Sequence, residues 1–407
     1  MALSLGTKLP RLIQWGDDKV IRKISLGSDV IWTAADPDLA QGLRDQLDTM
    51  CVTLRSTFGL SGVMFKLTGP VGKYEAAFGS TAGRALALND NFRAGSITKM
   101  FTGQAALQQI AAGNIEYDAT IDTYVSGYPN GDKITIENIM TMTSGLYNEQ
   151  SNMSFMLNFV LNPMTPWSDD ATLNLVKSNG VYFQPGKGYK YANSNYILLG
   201  RILETVTGRT ISDILINDVV KKAGLNNTTW PTAGGVGPGG IPTPAANGYG
   251  PNPLAGIPIL GWFLPAVTDQ TVMNPEIMGC AGRLTSTLDD LLTFGAAVRD
   301  GTLITPEMHE FLLDTDNCWP SATGAPSPAP TQFGHGPGII SFGQWWGHPG
   351  GLNGYGCVSF WHPESGAQLV AMQNYSGLQV ETHLLPQVAE LLYPGSMAQP
   401  TYTKSYT

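Results

Sequence analysis

Three short segments, read in chain order, carry the residue types of acyl-transfer chemistry. The first is Ser96-Ile97-Thr98-Lys99, preceded by Arg93-Ala94-Gly95 and followed by the run Met100 to Leu107. If Ser96 opens a helix, Lys99 three residues on lies on the same face. A serine hydroxyl is a weak nucleophile and needs a base beside it, and a lysine serves only with its amine neutral. Free lysine titrates near ~10.4, so burial and neighbouring positive charge must lower it by roughly 3 units. A helix start at Ser96 also aims unpaired backbone N–H groups at a developing oxyanion.

The second segment is Tyr191-Ala192-Asn193, read as an extended loop before a helix over 196–205. Residues i and i+2 of an extended chain point the same way, so Tyr191 and Asn193 are expected to face one cleft. The phenol would share a proton with Lys99 and pass it to the leaving group. Asn193 would donate to the acyl-side carbonyl and help order Lys99. The third segment is His348-Pro349-Gly350-Gly351, after Gln344-Trp345-Trp346-Gly347. Glycines inside a strand mark close approach of a ligand or another backbone. Here a substrate would lie along the strand, held by His348, Gly350 and Gly351, with the Gly351 N–H as the second oxyanion donor. Each segment alone also fits a capped helix or a polar turn; the argument lies in the three together and in order.

The elements that must position them follow from periodicity. Leu39, Leu43, Leu47, Met50 and Leu54 recur at helical spacing, with Asp36 as N-cap and Pro37 at the first helical position. Strands are expected over 63–67 and 74–78 around a turn at Gly69-Pro70. A helix runs from Ser96 to about Ala112, and helical patterns continue to about Leu225. Residues 233–258 form a Gly/Pro-rich tract, read as a wall over the site. A helix over 289–298, strands over 339–342, 355–361 and 368–374, and a closing helix near 380–392 complete the pattern. This order predicts an α+β fold: an antiparallel sheet built from both chain ends, flanked by helices, with a mostly helical lobe (about 100–270) inserted. Residues 1–35 read as a separate segment with a hairpin at Gly27-Ser28-Asp29, residues 36–394 as the catalytic domain, and 395–407 as a polar tail.

Composition narrows the classes of function. With 407 residues the chain buries a sizeable core, and its net charge of −9 disfavours a grip on nucleic acid. The five histidines are scattered and the four cysteines (Cys51, Cys280, Cys318, Cys357) lie far apart, so neither suggests a metal site. The cysteines read as small buried hydrophobes, with three disulfide pairings arithmetically open. No stretch reaches the ~20 apolar residues of a membrane span, and the N-terminus lacks a secretory leader. The most apolar segment, 253–267, is cut by Pro258 and Pro265 and reads as a hydrophobic loop.

SxxK, YxN and a late [K/H]xG strand resemble the serine β-lactamases, DD-peptidases and related esterases, most of all the class C branch. Met140 to Leu146, Gly282 to Leu291 and Gly347 to Tyr355 are similar to supporting stretches of that family, and the resemblance covers about residues 36–394. It implies acylation of Ser96, proton handling by Lys99 and Tyr191, and no metal or organic cofactor. The implied partner is a peptidoglycan stem peptide, in a D-alanyl-D-alanine carboxypeptidase-like reaction, or another acyl donor. One departure stands out. Where the family usually has Ser or Thr in the third motif, this chain has Pro349, without a hydroxyl or an N–H. His348 stands where lysine often sits. Both weaken the grip on a terminal carboxylate and favour an esterase, amidase or endopeptidase. Ile21 to Trp32 also resembles short segments of minor tail proteins of phages that infect actinobacteria. That resemblance implies a virion location with docking to other tail proteins through residues 1–35. The alternatives are a cytoplasmic esterase or amidase, and a catalytically idle tail module.

Overall fold

The computed structural model describes residues 36–235, 237–255, 263–321, 333–398, 400 and 402–406, and the backbone of three earlier strands. Those strands, β1 (Leu12–Trp15), β2 (Ile21–Leu26) and β3 (Asp29–Thr33), form their own antiparallel sheet in the order β1-β2-β3. Leu26 pairs with Asp29, so the β2–β3 connection falls at the expected hairpin; its turn residues 27–28 lie outside the described residues.

Helix α1 (Gln41–Phe58) starts later than the Asp36-Pro37 signal implies, with Ala40 at the N-cap. Backbone pairing displaces it: Lys73 N donates to the Pro37 carbonyl (2.7 Å) and Leu39 N to the Lys73 carbonyl (3.0 Å), which holds 37–39 extended. The helix buries Leu47, Cys51 and Leu54, one stripe at spacings of four and three. It ends at Gly59 in the left-handed region (φ 64°), whose N–H caps the Arg55 carbonyl.

Strands β4 (Gly62–Thr68), β5 (Tyr74–Thr81) and β6 (Arg84–Ala85) follow. The short β7 (Phe92–Arg93) leads through a single tight turn, Gly95–Ile97, into helix α2 (Thr98–Ala111). Short helices dominate up to about residue 220, then come a ribbon of β8 (Tyr249–Pro251) and β9 (Val267–Asp269), and β10 (Thr285–Ser286), which pairs with β7. Residues 256–262 of the hydrophobic segment, and the loop 322–332, lie outside the described residues. The last strands are β11 (Trp319–Pro320), β12 (Gly334–His335), β13 (Ile340–Phe342), β14 (Trp345–Leu352), β15 (Tyr355–Trp361) and β16 (Gln368–Gln373).

The main sheet has nine strands in the order β11-β12-β13-β14-β15-β16-β4-β5-β6, and every pairing is antiparallel. Both chain ends therefore meet at β16–β4, where Met372 faces Met64 and Ala371 faces Phe65. One sheet face packs Val63, Phe65, Leu67, Val358 and Phe360 against Leu47, Leu54, Leu384 and Val388 of the terminal helices. The other packs Met64, Val370 and Met372 in one cluster with α2 and Phe294. Coverage on both sides explains why β15 and β16 are buried at every position rather than at alternate ones. The tail returns to the body: Tyr402 OH lies 2.7 Å from Ser341 Oγ, and Lys404 pairs with Glu137 at 2.8 Å. The four cysteines are free and buried.

Helix α2 is the axis of this arrangement, with every residue from Thr98 to Leu107 buried. Phe101 stacks on Phe294 with ring centroids 3.6 Å apart. Gly103 lets the helix touch the backbone ahead of β13, since a Cβ there would stand 2.7 Å from the Gly338 Cα. Gly103→Ala should therefore destabilise the fold by about 1–3 kcal/mol despite alanine's better helix propensity. Gly42→Ala in α1, with nothing within 4 Å of the new methyl, should be neutral or stabilise by up to ~1 kcal/mol. Thermal melts of the two variants check the contrast.

Candidate active site

The tight turn at Gly95–Ile97 places Ser96 at the mouth of α2, partly exposed, while Lys99 is completely buried one turn below. Gly95 takes φ 51°, and a Cβ there would come within 2.9 Å of Gly351 N. A Cβ on Gly350 would strike the Ala94 carbonyl oxygen at 2.1 Å. The nucleophile turn and β14 thus touch backbone to backbone, which side chains at 95 or 350 would prevent.

Lys99 Nζ makes three contacts: Asn193 Oδ1 at 2.7 Å, the Ala281 carbonyl at 2.8 Å and Ser96 Oγ at 3.0 Å. The first two partners are obligate acceptors. A neutral amine has two N–H bonds and one lone pair, so both N–H bonds are consumed and the lone pair faces the Ser96 hydroxyl. That is the geometry a general base needs. Burial lowers the Lys99 ammonium from 10.5 to about 7, against the opposing pull of Glu149 first and then of Cys280. The site uses desolvation, without a neighbouring cation, to make the amine available near neutrality.

Asn193 is the first residue of the helix Asn193–Thr207, so the segment read as a loop turns helical three residues earlier than expected. The loop 140–146 causes this. Lys190 N donates to the Met142 carbonyl at 3.1 Å, Ala192 N and Asn195 Nδ2 donate to Met142 Sδ, and Ser144 Oγ donates to Asn195 Oδ1 at 2.6 Å. Met142 holds φ 62°, a conformation costly for a residue with a Cβ, at this contact point. Glu149 completes the mounting, accepting from Asn193 Nδ2 and from Ser194 N, both at 3.1 Å. Burial raises the Glu149 carboxyl, yet both oxygens face donors, which only the carboxylate satisfies fully. Glu149 therefore fixes which way the Asn193 amide points and hence that Oδ1 meets Lys99.

Tyr191 stands beside Ser96, its ring 4.9 Å from Lys99 Nζ. Burial pushes its hydroxyl well above the usual phenol range, opposed by the nearby Ser96 hydroxyl, so the group is a phenol here. On its far side stand His348 and His335, their rings 6.0 Å apart. Burial, then the neighbouring Lys99, lowers His348 to about 3; burial, then His348 and Lys99, also depress His335. The end of the cleft where a cation would hold a carboxylate carries two neutral imidazoles and a proline.

Ser96, Lys99, Tyr191, Asn193, His348, Gly350 and Gly351 thus converge on one cleft. The sequence reading did not name Glu149, His335 or the Ala281 carbonyl. Among the described residues no group of three or more His, Cys, Asp or Glu side chains is arranged to hold a metal ion, and no helix is long and apolar enough to cross a membrane.

The Beta-lactamase family model matches residues 73–393. A penicillin-binding protein of Bacillus subtilis (strain 168) is 26% identical over 193 residues, 47% of this chain and 42% of that protein. A provisionally named D-alanyl-D-alanine carboxypeptidase of Escherichia coli O157:H7 is 29% identical over 147 residues, 33% of this chain and 32% of its own length. The chain thus matches less than half the length of these curated relatives. The structure of a D-stereospecific amidohydrolase from Streptomyces sp. superposes with a TM-score of 0.70 at 25% identity, over 86% of this chain and 98% of that one. A D-amino acid amidase from Ochrobactrum anthropi SV3, complexed with D-phenylalanine, has a TM-score of 0.71 at 21% identity, over 88% and 98%.

For a neutral aryl ester, kcat/KM should rise with pH to a plateau with a midpoint near the Lys99 value of about 7. Glu149→Gln removes the negative charge that favours the ammonium, so the midpoint should move to lower pH. A pH–rate profile of both proteins reads the shift, and an unmoved midpoint would separate Glu149 from Lys99.

Proposed function

The chain belongs to the beta-lactamase family, a family of serine hydrolases, and on that premise we propose that it hydrolyses amide bonds of D-aminoacyl substrates through an acyl-enzyme on Ser96. The observation that carries this reading is the Lys99 amine, with both N–H bonds engaged and its lone pair on Ser96. Lys99 takes the Ser96 proton as Oγ attacks the carbonyl carbon. Backbone N–H groups at Ser96 and Gly351 hold the oxyanion. Tyr191 delivers a proton to the departing nitrogen, the C–N bond breaks, and the acyl group remains on Ser96. Water then attacks the ester, giving up its proton through the same Lys99–Tyr191 pair, and frees the acid.

The configuration is proposed from the D-stereospecific amidohydrolase likeness over nearly the whole of both chains. A D-alanyl-D-alanine carboxypeptidase acting on peptidoglycan stem peptides is the second reading, supported by the curated relatives. The neutral His335–His348 pair beside Pro349 weighs against its terminal carboxylate. For residues 1–35 we propose attachment to a phage tail, supported by the sequence resemblance of Ile21 to Trp32 and by their separate sheet. Recovery of the protein in purified particles tests that attachment.

After long incubation with penicillin or an aryl ester, intact mass should show one acyl adduct that Ser96→Ala abolishes. D-Phenylalanine amide should be hydrolysed at least about tenfold faster than its L-enantiomer, and faster than D-alanine is released from a D-alanyl-D-alanine peptide. The reverse order of the two D-substrates favours the carboxypeptidase.

A further inference from the structure

The mechanism leaves one carboxylate at the cleft without a task. Glu381 lies on the helical turn Val380–Leu384 that follows β16. Its N–H donates to the Leu378 carbonyl at 3.1 Å, and the Leu378 side chain borders Gly351, where a Cβ would come within 3.1 Å of Leu378 Cδ2. The segment therefore flanks β14 at the residue next to the nucleophile turn. Burial chiefly raises the proton affinity of Tyr189 and Tyr191, and the Glu381 charge adds a smaller push to each, so its carboxyl lies within electrostatic reach of both phenols.

The backbone that carries Glu381 is fixed. Val380 and Leu384 are buried beneath the sheet, and Gln373 accepts from Val380 N at 3.1 Å while donating to the Gln379 side chain. Its own carboxylate is different: among the described residues no hydrogen bond or ion pair reaches it, and burial alone pushes it up to about 7. It is only partly exposed, in a position that costs solvation without returning a contact. No other group at the site fills this role. Glu149 is sealed and has both oxygens occupied, Lys99 is fully committed, and both imidazoles are neutral.

We propose that Glu381 docks a primary ammonium of the acyl donor, so that this enzyme selects substrates with a free amine and rejects a carboxylate at the same place. The inference rests on the acyl-enzyme reading above. A partly desolvated carboxylate beside β14 pairs with an ammonium strongly and repels an anion. The amine is the α-amine of the acylating residue; an amine on its side chain is the other source of the same chemistry.

Three substrates separate the cases: D-phenylalanine amide, N-acetyl-D-phenylalanine amide and Nα-acetyl-D-lysine amide. For the wild-type protein, kcat/KM for the free α-amine should exceed that for the N-acetylated phenylalanine amide by roughly 30-fold, the worth of one charge-assisted contact. Glu381→Gln should bring this ratio close to one, Glu381→Asp should keep part of it, and Glu381→Lys should invert it. Preference for the lysine derivative over D-phenylalanine amide moves the docked amine to the side chain and overturns the α-amine assignment. A wild-type ratio near one overturns the inference without any variant, as does a Glu381→Gln protein that loses both activities equally. Acylation of Ser96 by a neutral aryl ester, read by intact mass, is the control: its absence defeats the acyl-enzyme reading, while its presence with a ratio near one defeats only the ammonium inference.

Discussion

Everything at this site depends on one buried amine. Lys99 has no contact with solvent and, among the described residues, no ion-pair partner within hydrogen-bonding reach, only the Asn193 amide oxygen, the Ala281 carbonyl and the Ser96 hydroxyl. An ammonium so placed pays heavily for lost hydration, and the amine form is what the surroundings tolerate near neutrality. Its three partners come from three parts of the chain: the mouth of α2, the first turn of the helix at Asn193, and the short helix Gly279–Gly282. Bringing them together is the structural task. The β7–β10 pairing does part of it, since Ala94 N donates to the Leu284 carbonyl at 2.9 Å and so sets the 279–284 segment beside Ser96. Glycine-to-glycine contact at 103 and 338 does another part by letting α2 sit against the backbone ahead of β13.

What the sequence discloses of this is the part set by local spacing. Ser96 and Lys99 are one helical turn apart, and Tyr191 and Asn193 are two residues apart, so chain geometry alone puts each pair on one side. The inner strands of the antiparallel sheet are legible for a similar reason: Tyr355 to Trp361 and Gln368 to Gln373 are apolar runs of strand length bounded by turn residues; the two-residue strands β6, β11 and β12 are too short to show such a pattern. Glu149 and His335 leave no such trace. Each gains its role only from residues outside its own element, Asn193 for one and Tyr189 and His348 for the other. The Ala281 carbonyl is invisible in principle, because a backbone acceptor has no letter. The misplaced start of α1 is instructive in the opposite sense. Asp36-Pro37 is a sound helix signal, and the Lys73 backbone outbids it with two hydrogen bonds.

Glutamate and asparagine in this site act as a relay of orientation rather than of protons. An asparagine amide presents an acceptor on one side and donors on the other, and nothing in its own shape decides which faces the lysine. Glu149 decides it, because a carboxylate accepts only from the NH₂ side, leaving Oδ1 for Lys99. The same carboxylate receives Ser194 N, an orphan donor of the first helical turn, so the helix start and the amide direction are fixed together. Burying a carboxylate near a buried amine tends to restore the ammonium, and the long contact through Asn193 limits that effect. The arrangement therefore trades some loss of basicity for a defined lone-pair direction.

The opposite end of the cleft follows from the same economy of charge. A lysine or arginine there would face Lys99 across the Tyr191 ring and, like any nearby cation, lower its proton affinity further. His348 and His335 avoid the repulsion by remaining neutral, and among the described residues neither Nε2 has a protein partner. With Pro349 unable to donate from its backbone or side chain, no fixed positive charge is left on β14 for an anion. Among the described residues, the acidic group bordering that strand near the nucleophile is Glu381, which burial pushes up to about 7. Charge placement thus keeps an amine, a phenol and two imidazoles neutral for proton transfer, and on the proposal above it leaves the Glu381 carboxyl at the rim to choose what enters.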